Sequence, residues 1–212
     1  MMRISNFFVK KPIKNLFTTI YEKKGWGNFG TLSGPGSTLE QTEVIRKTIP
    51  NIIQQYNISS FLDAPCGDFF WMKNIDFKDC SYIGVDIVDS MIKNNNELFG
   101  TKSKKFIVAD IIKNPLPYAD LIFCRDCLVH LSFNDCLQVI NNFKESGARY
   151  LLTTTFVELK TNKETKSPLW RPLNLQQPPF NFPDPVLLIN EQCTHDSLYP
   201  DKSLGLWDLN AI

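Results

Sequence analysis

Two carboxylates, Asp63 and Asp68, bracket the single glycine of the segment DAPCGDF, Gly67, and a third, Asp86, follows nineteen residues after that glycine. An acidic side chain about twenty residues beyond a glycine turn is placed to accept both hydrogen bonds of a ribose diol. The plainer alternative is that Asp86 caps a helix beginning near Asp89. A pyrophosphate wants the opposite of this loop: several glycines, free backbone N–H groups and no built-in negative charge. Asp63 and Asp68 instead favour a cation through Coulomb attraction. Further along, Asp126 and His130 stand four apart in CRDCLVHLS. That spacing puts both on one helix face and makes His130 a candidate general base oriented by Asp126. The alternative has His130 bonded to backbone at a sheet edge and Asp126 capping a helix. Arg125 beside them either pairs with a carboxylate or binds an acidic acceptor.

These residues need a scaffold, and the sequence supplies one. From Ser59 onward short apolar runs alternate with polar helical stretches, the pattern of parallel strands joined by crossover helices. SFLDA, YIGVDI, KFIVADI, ADLIFCRD and RYLLTTTF read as five such strands, and helices fit at Trp71 to Ile75, Asp89 to Phe99 and Phe133 to Glu145. VLLINEQC and KSLGLWDL read as a closing, antiparallel pair. The expectation is a doubly wound α/β domain with a mostly parallel, seven-stranded sheet over 59–212, preceded by a helical extension over 1–58. In an open sheet of this kind ligands sit outside the carboxyl ends of the strands. The candidate residues fall there: 63–69, Asp86, Asp110 and 124–126.

Composition narrows the partners. The 212 residues are 43% apolar and carry 23 Lys and Arg against 22 Asp and Glu, a net charge of +1. A balance that close gives no electrostatic reason to expect nucleic acid or an anionic membrane. No apolar run is of spanning length, and the basic N-terminus lacks a cleavage site, so a cytoplasmic protein is expected. Six cysteines without regular spacing read as reduced thiols, and no metal is expected of Cys124 and Cys127 without a second pair.

The ligand that combines an adenosine with cationic centres and no phosphate is S-adenosylmethionine, which bears a sulfonium and an ammonium. At this point the chain resembles the class I S-adenosylmethionine-dependent methyltransferases, from about Ser59 to the C-terminus. Their first motif has the form DxGxGxG; Asp63 and Gly67 match it, while Pro65 and Phe69 stand in place of the outer glycines. Asp86 matches the ribose-binding acid and VADI the adenine-facing segment. The wording of DAPCGDFFWM, DLIFCRDCLVHLS and RPLNLQQPPFNFP is similar to a group of bacterial and viral members for which the resemblance implies no settled substrate. The resemblance implies a Rossmann-like methyltransferase fold and cofactor contacts from Asp63, Ala64, Pro65, Gly67, Asp68, Asp86, Ile87, Asp110, Ile111 and Arg125. It places Asp110 on the exocyclic amine and Ile111 on the adenine ring.

Three flanking segments complete the expectation. Residues 3 to 24 read as a basic helix packing through Phe7, Phe8, Phe17 and Ile20, with Pro12 starting or kinking it. GWGNFGTLSGPGS, 25–37, is too rich in glycine for a regular element and either folds over the cofactor with Trp26 or Ser33 against it, as in the family, or is a linker. Ser37 with Glu40 fits a capping box for a helix from Thr38 to Gln55. Last, the proline-rich stretch 168–185 either packs over the sheet edge or walls the acceptor pocket, with Trp170, Arg171 and Asn174 as substrate contacts. The activity expected is methyl transfer, most naturally to oxygen, on a small molecule or glycan. A nicotinamide-dependent oxidoreductase and a catalytically silent cofactor-binding protein are the rival readings.

Overall fold

The computed structural model describes residues 12–194 and 199–212. Its centre is one seven-stranded sheet in the order β3-β2-β1-β4-β5-β7-β6. The strands are β1 (Ser60–Asp63), β2 (Ser81–Asp86), β3 (Lys104–Val108), β4 (Leu121–Cys124), β5 (Tyr150–Phe156), β6 (Leu187–Asn190) and β7 (Lys202–Asp208). β1 to β5 pair in parallel, while β7 runs antiparallel to both β5 and β6. The helices are α1 (Ile13–Glu22), α2 (Glu43–Gln55), α3 (Asp89–Phe99) and α4 (Phe133–Glu145).

The alternation of side chains along each strand sorts the core into two layers. Phe61, Tyr82, Phe106, Phe123, Leu152 and Leu204 face one side, where Ile45, Ile49, Ile52 and Ile53 of α2 cover them. Leu62, Val85, Ile122, Leu151 and Trp207 face the other, against Cys136, Val139, Ile140 and Phe143 of α4. β5 is buried along its whole length and carries three threonines in a row. Each hydroxyl is used: Thr153 donates to the Cys124 carbonyl, Thr154 accepts from the Asp126 amide, and Thr155 accepts from the Leu175 amide. Buried hydroxyls must be paired, and these fasten the loops that follow β4 and β5.

Three elements differ from the sequence expectation. α2 starts at Glu43, not Thr38, and Ser37 does not cap it. Ser37 lies in a 3₁₀ turn over 35–37 and its Oγ donates to the Ser33 carbonyl, while residues 38–42 form turns that bring the chain down from the loop before them. The helix expected from Trp71 to Ile75 is one 3₁₀ turn, Met72–Asn74. β3 stops at Val108, which leaves Asp110 and Ile111 in the loop beyond it. Pro12 starts α1; the Phe7 and Phe8 end of the expected helix lies outside the described residues. Among the described residues no helix is long and apolar enough to cross a membrane.

Candidate active site

The carboxyl ends of the strands open into a cavity of about 350 Å³, within the usual range for ligand pockets. Trp26, Ser33, Asp63, Pro65, Gly67, Asp68, Asp86, Ile87, Asp110, Ile111, Arg125, Asp126, His130 and Trp170 all line it. Expectations drawn from six separated stretches of chain therefore meet on one surface.

The first loop shows why. Gly67 has φ +55°, and a Cβ there would stand 2.5 Å from the Ser33 hydroxyl, so the position needs glycine twice over. Phe69, where the family pattern has a glycine, keeps the left-handed backbone with φ +56°. That conformation costs a side chain roughly 1–2 kcal/mol. Phe69 is buried, with ring centroids 5.0 Å from Tyr82, 5.3 Å from Phe99 and 5.0 Å from Phe106. Burying such a ring is worth about 1.5–3 kcal/mol, enough to hold the strained backbone.

The three carboxylates of the cofactor side behave differently. Asp63, at the end of β1, is 2% exposed and accepts a 2.6 Å hydrogen bond from the Tyr82 hydroxyl. Burial pushes it up to about 8. Asp86, at the end of β2, accepts from the amides of Gly67 and Val88, and burial pushes it up to about 6. Among the described residues neither is paired with a basic side chain. Asp68 corrects the expectation that it faces a ligand cation. Its carboxylate accepts from the Thr31 hydroxyl, the Leu32 amide at 2.7 Å and the Ser33 hydroxyl at 2.9 Å, so its oxygens hold down the glycine-rich segment. That segment, 25–37, is thus a strap across the cavity. Trp26 lies in it, with its ring 5.6 Å from His130 and 6.0 Å from Phe17 of α1. Ala64 is fully buried among the apolar residues under the sheet and does not line the cavity, because it continues β1 with its amide donating to the Phe123 carbonyl. Asp110 turns its Oδ1 back to the Ile112 amide at 3.0 Å.

The other end of the cavity is an ion network. Arg125, 8% exposed, donates through Nε and NH2 to Glu191 and through NH2 to the Gly36 carbonyl in the strap. Asp126 sits 2.7 Å from Lys202 Nζ and 3.3 Å from Arg125, which hold its carboxyl down to about 2 against the opposing effect of burial. Asp126 therefore does not orient His130 as expected. It has a left-handed backbone, φ 52°, and His130 belongs to a 3₁₀ turn, Leu128–His130, so the two never share a helix face. His130 Nδ1 is 2.9 Å from the Pro168 carbonyl. A carbonyl only accepts, so Nδ1 carries the hydrogen and Nε2 is the free base. Burial lowers the His130 pKa, which keeps the ring neutral at pH 7.

Of the proline-rich stretch, Trp170 lines the cavity, in edge contact with Phe156 and with Tyr199, which line it too. Arg171 and Asn174 do not line it. Arg171 is buried against main-chain carbonyls, and the Asn174 amide donates to the carbonyls of Val157 and Leu159, where it pins the loop after β5. Sequence reasoning missed Gln41, Glu191, Cys193, Tyr199 and Lys202. One signal could have found Lys202: an antiparallel strand laid beside β5 brings its first residue to the carboxyl edge, and Lys202 pairs with Phe156.

Residues 62–150 match the family model described as a methyltransferase domain. This stretch runs from β1 to the start of β5 and holds Asp63, Asp86, Asp110, Asp126 and His130. No protein with a curated description matches the sequence. Among solved structures the chain is similar to human N-acetylserotonin methyltransferase in complex with S-adenosylmethionine, at 13% identity and a TM-score of 0.57, covering 93% of this chain and 59% of that one. It is also similar to the N-methyltransferase NodS from Bradyrhizobium japonicum in complex with S-adenosylhomocysteine, at 12% identity and a TM-score of 0.61, covering 90% of this chain and 97% of that one. A third is magnesium protoporphyrin IX methyltransferase from Synechocystis with bound S-adenosylmethionine, at 14% identity and a TM-score of 0.51, covering 74% and 82%. The chain thus spans 59% of the length of the human enzyme, and at these identities the likeness is one of fold. The sheet is the α/β, Rossmann-like sheet of these methyltransferases.

Proposed function

We propose that the protein transfers a methyl group from S-adenosylmethionine to a hydroxyl oxygen of a small polar molecule or glycan. The observation that carries this reading is the pair of buried carboxylates, Asp63 and Asp86, on the wall of a cavity that also holds a neutral histidine with a free Nε2. A cationic nucleoside suits that donor set: Asp86 accepts from the ribose hydroxyls, and the ligand's positive charge favours the ionised form of Asp63, which burial otherwise keeps protonated and which has no basic partner among the described residues. A pyrophosphate meets repulsion there instead. Asp110 and Ile111 stand at the adenine position, with Pro65, Gly67 and Ile87 lining the path between. Trp26, with Ser33 held by Asp68, closes the strap over them. Bound S-adenosylmethionine supplies a methyl group already activated by its sulfonium.

The remaining work is alignment and proton removal. His130 Nε2 takes the proton of the acceptor hydroxyl. Asp126, kept ionised by Lys202 and Arg125, is too weak a base for that step and serves as a fixed negative charge beside it. Trp170 and Tyr199, backed by the buried Phe156, offer aromatic surface to a ring-shaped acceptor, and Lys202 lies on the same wall.

Titration calorimetry with S-adenosylmethionine, S-adenosylhomocysteine and NAD tests the cofactor. Binding of the first two without the third is expected, and binding of NAD alone would overturn the reading. Labelled methyl transfer over a panel of hydroxyl, amine and carboxyl acceptors then tests the chemistry. His130→Gln should lose about 100-fold in turnover with unchanged cofactor affinity. An amine product with a rate indifferent to His130→Gln would replace O-methylation by N-methylation, and no product over the whole panel would favour a silent cofactor-binding protein.

A further inference from the structure

The 168–171 segment holds the turn that carries His130. The Pro168 carbonyl accepts from His130 Nδ1 at 2.9 Å, and the Arg171 amide donates to the Val129 carbonyl at 3.0 Å. The Arg171 guanidinium then reaches both ends of the same turn, NH1 donating to the Leu128 carbonyl at 2.7 Å and NH2 to the Leu131 carbonyl at 2.6 Å. Its Nε donates to the Lys163 carbonyl at 3.0 Å, and the group lies 5.3 Å from the Phe133 ring. Arg171 is 7% exposed and forms no ion pair with a carboxylate among the described residues.

A buried guanidinium satisfied by three main-chain carbonyls and a 4.0 Å contact to the Cys136 sulfur is a costly way to fasten a connector, since desolvating the charge opposes folding and no counter-ion repays it. What the arrangement provides is geometry. A planar fork fixes two carbonyls at once, which a flexible ammonium cannot do. The two carbonyls it fixes flank His130, and the same segment supplies the carbonyl that selects the His130 tautomer.

We infer that Arg171 is the positioning residue of the base: by gripping Leu128 and Leu131 it keeps the His130 ring against the Pro168 carbonyl, with the hydrogen on Nδ1 and Nε2 free. This rests on the reading of His130 as the base under the proposed function. Without the grip the turn drifts from the 168–171 segment, and the imidazole is released to the Nε2–H tautomer that predominates in water, which has its lone pair on the wrong nitrogen.

The test reads the ring nitrogens directly. The chain has two histidines, 130 and 195, so ¹⁵N spectra of the imidazoles are assigned by His130→Gln alone. In the full-length parent His130 is expected as the Nδ1–H tautomer. In Arg171→Gln a substantial Nε2–H fraction should appear, with turnover down about tenfold and S-adenosylhomocysteine affinity within about threefold of the parent, which also shows that the variant is folded. Arg171→Lys should not restore the parental tautomer, because it keeps the charge and loses the fork; it is read the same way if Arg171→Gln does not fold. An Nε2–H tautomer in the parent, or the parental tautomer in either folded variant, overturns the positioning role. Parental turnover in His130→Gln overturns the base reading instead, and with it Arg171's part in catalysis.

Discussion

The two ends of the cavity are built on different plans. The cofactor end is assembled from residues that follow directly on adjacent parallel strands: Asp63 on β1, Asp86 on β2, Asp110 shortly after β3. Its decisive side chains hydrogen-bond to main-chain groups or to one another within the same layer, as Asp86 does with Gly67 and Val88. The opposite end, where the proposed function puts the acceptor, is held by charges that meet from remote stretches, Arg125 with Glu191 and Asp126 with Lys202, across 66 and 76 residues of chain. One end is specified mainly by topology, with Asp68 as its one tether to a remote segment, the other by pairwise partners that topology merely permits. The lesson is that the first tolerates changes in its neighbours and the second does not.

The largest test of that contrast is Glu191→Ala. Glu191 and Arg125 are nearly inaccessible, with side-chain exposures of 0% and 4%. Removing one member of such a pair strands the other's charge, so unfolding in urea should show a loss of about 3 kcal/mol. A loss below about 1 kcal/mol would mean that Asp126 and the Gly36 carbonyl suffice for Arg125.

On the cofactor side the corresponding effect is one of pH. Burial raises Asp63 from 3.8 to about 8 and Asp86 from 3.8 to about 6. Between those values the folded protein keeps protons that the unfolded chain has released, so these two groups subtract stability as pH rises, up to about 6 for Asp86 and about 8 for Asp63. Asp63→Asn removes the larger part. Its stability relative to the parent should climb through that window and level off above about pH 8; curves that run parallel would show that Asp63 is ionised throughout.

Asp86→Ala should weaken S-adenosylhomocysteine binding by about 2 kcal/mol, read by calorimetry, because two ribose hydroxyls lose a charged acceptor. Parental affinity would make Asp86 only a partner for the Gly67 and Val88 amides. The smallest effect on cofactor affinity belongs to Trp170→Ala. It should impair methyl transfer yet leave cofactor affinity within about threefold, under 1 kcal/mol. A collapse of that affinity would erase the division between the two ends.

The same division explains what the sequence discloses. Strand ends are visible in a sequence because apolar runs stop, so the residue pattern by itself puts Asp63, Asp86 and the 124–126 stretch at one edge of the sheet. Gly67 and the nineteen-residue offset to Asp86 give the loop its meaning. Hidden from such a reading is whatever depends on a side chain finding a distant partner. Asp68 reads as a ligand contact and is a tether for Thr31, Leu32 and Ser33. Asp126 and His130, four apart, read as a dyad, but a left-handed backbone at Asp126 breaks the helical phase that four-residue spacing presumes. Arg171 reads as a substrate contact because buried carbonyls, unlike carboxylates, leave no mark in a sequence. Glu191 carries no signal at all. Phe69 is the instructive middle case: a phenylalanine where the family motif has glycine holds a left-handed backbone, and aromatic packing bears the strain.

The Arg125 bond to the Gly36 carbonyl has a thermodynamic consequence. One guanidinium belongs at once to the strap across the cavity and to the ion network at its other end. The hydrogen bond to Gly36 ties the position of the strap to the ion network. Under the proposed function, a cofactor and an acceptor that both bind against the strap in this position are expected to bind with positive coupling, and the factor by which one tightens the other is then the same in either order.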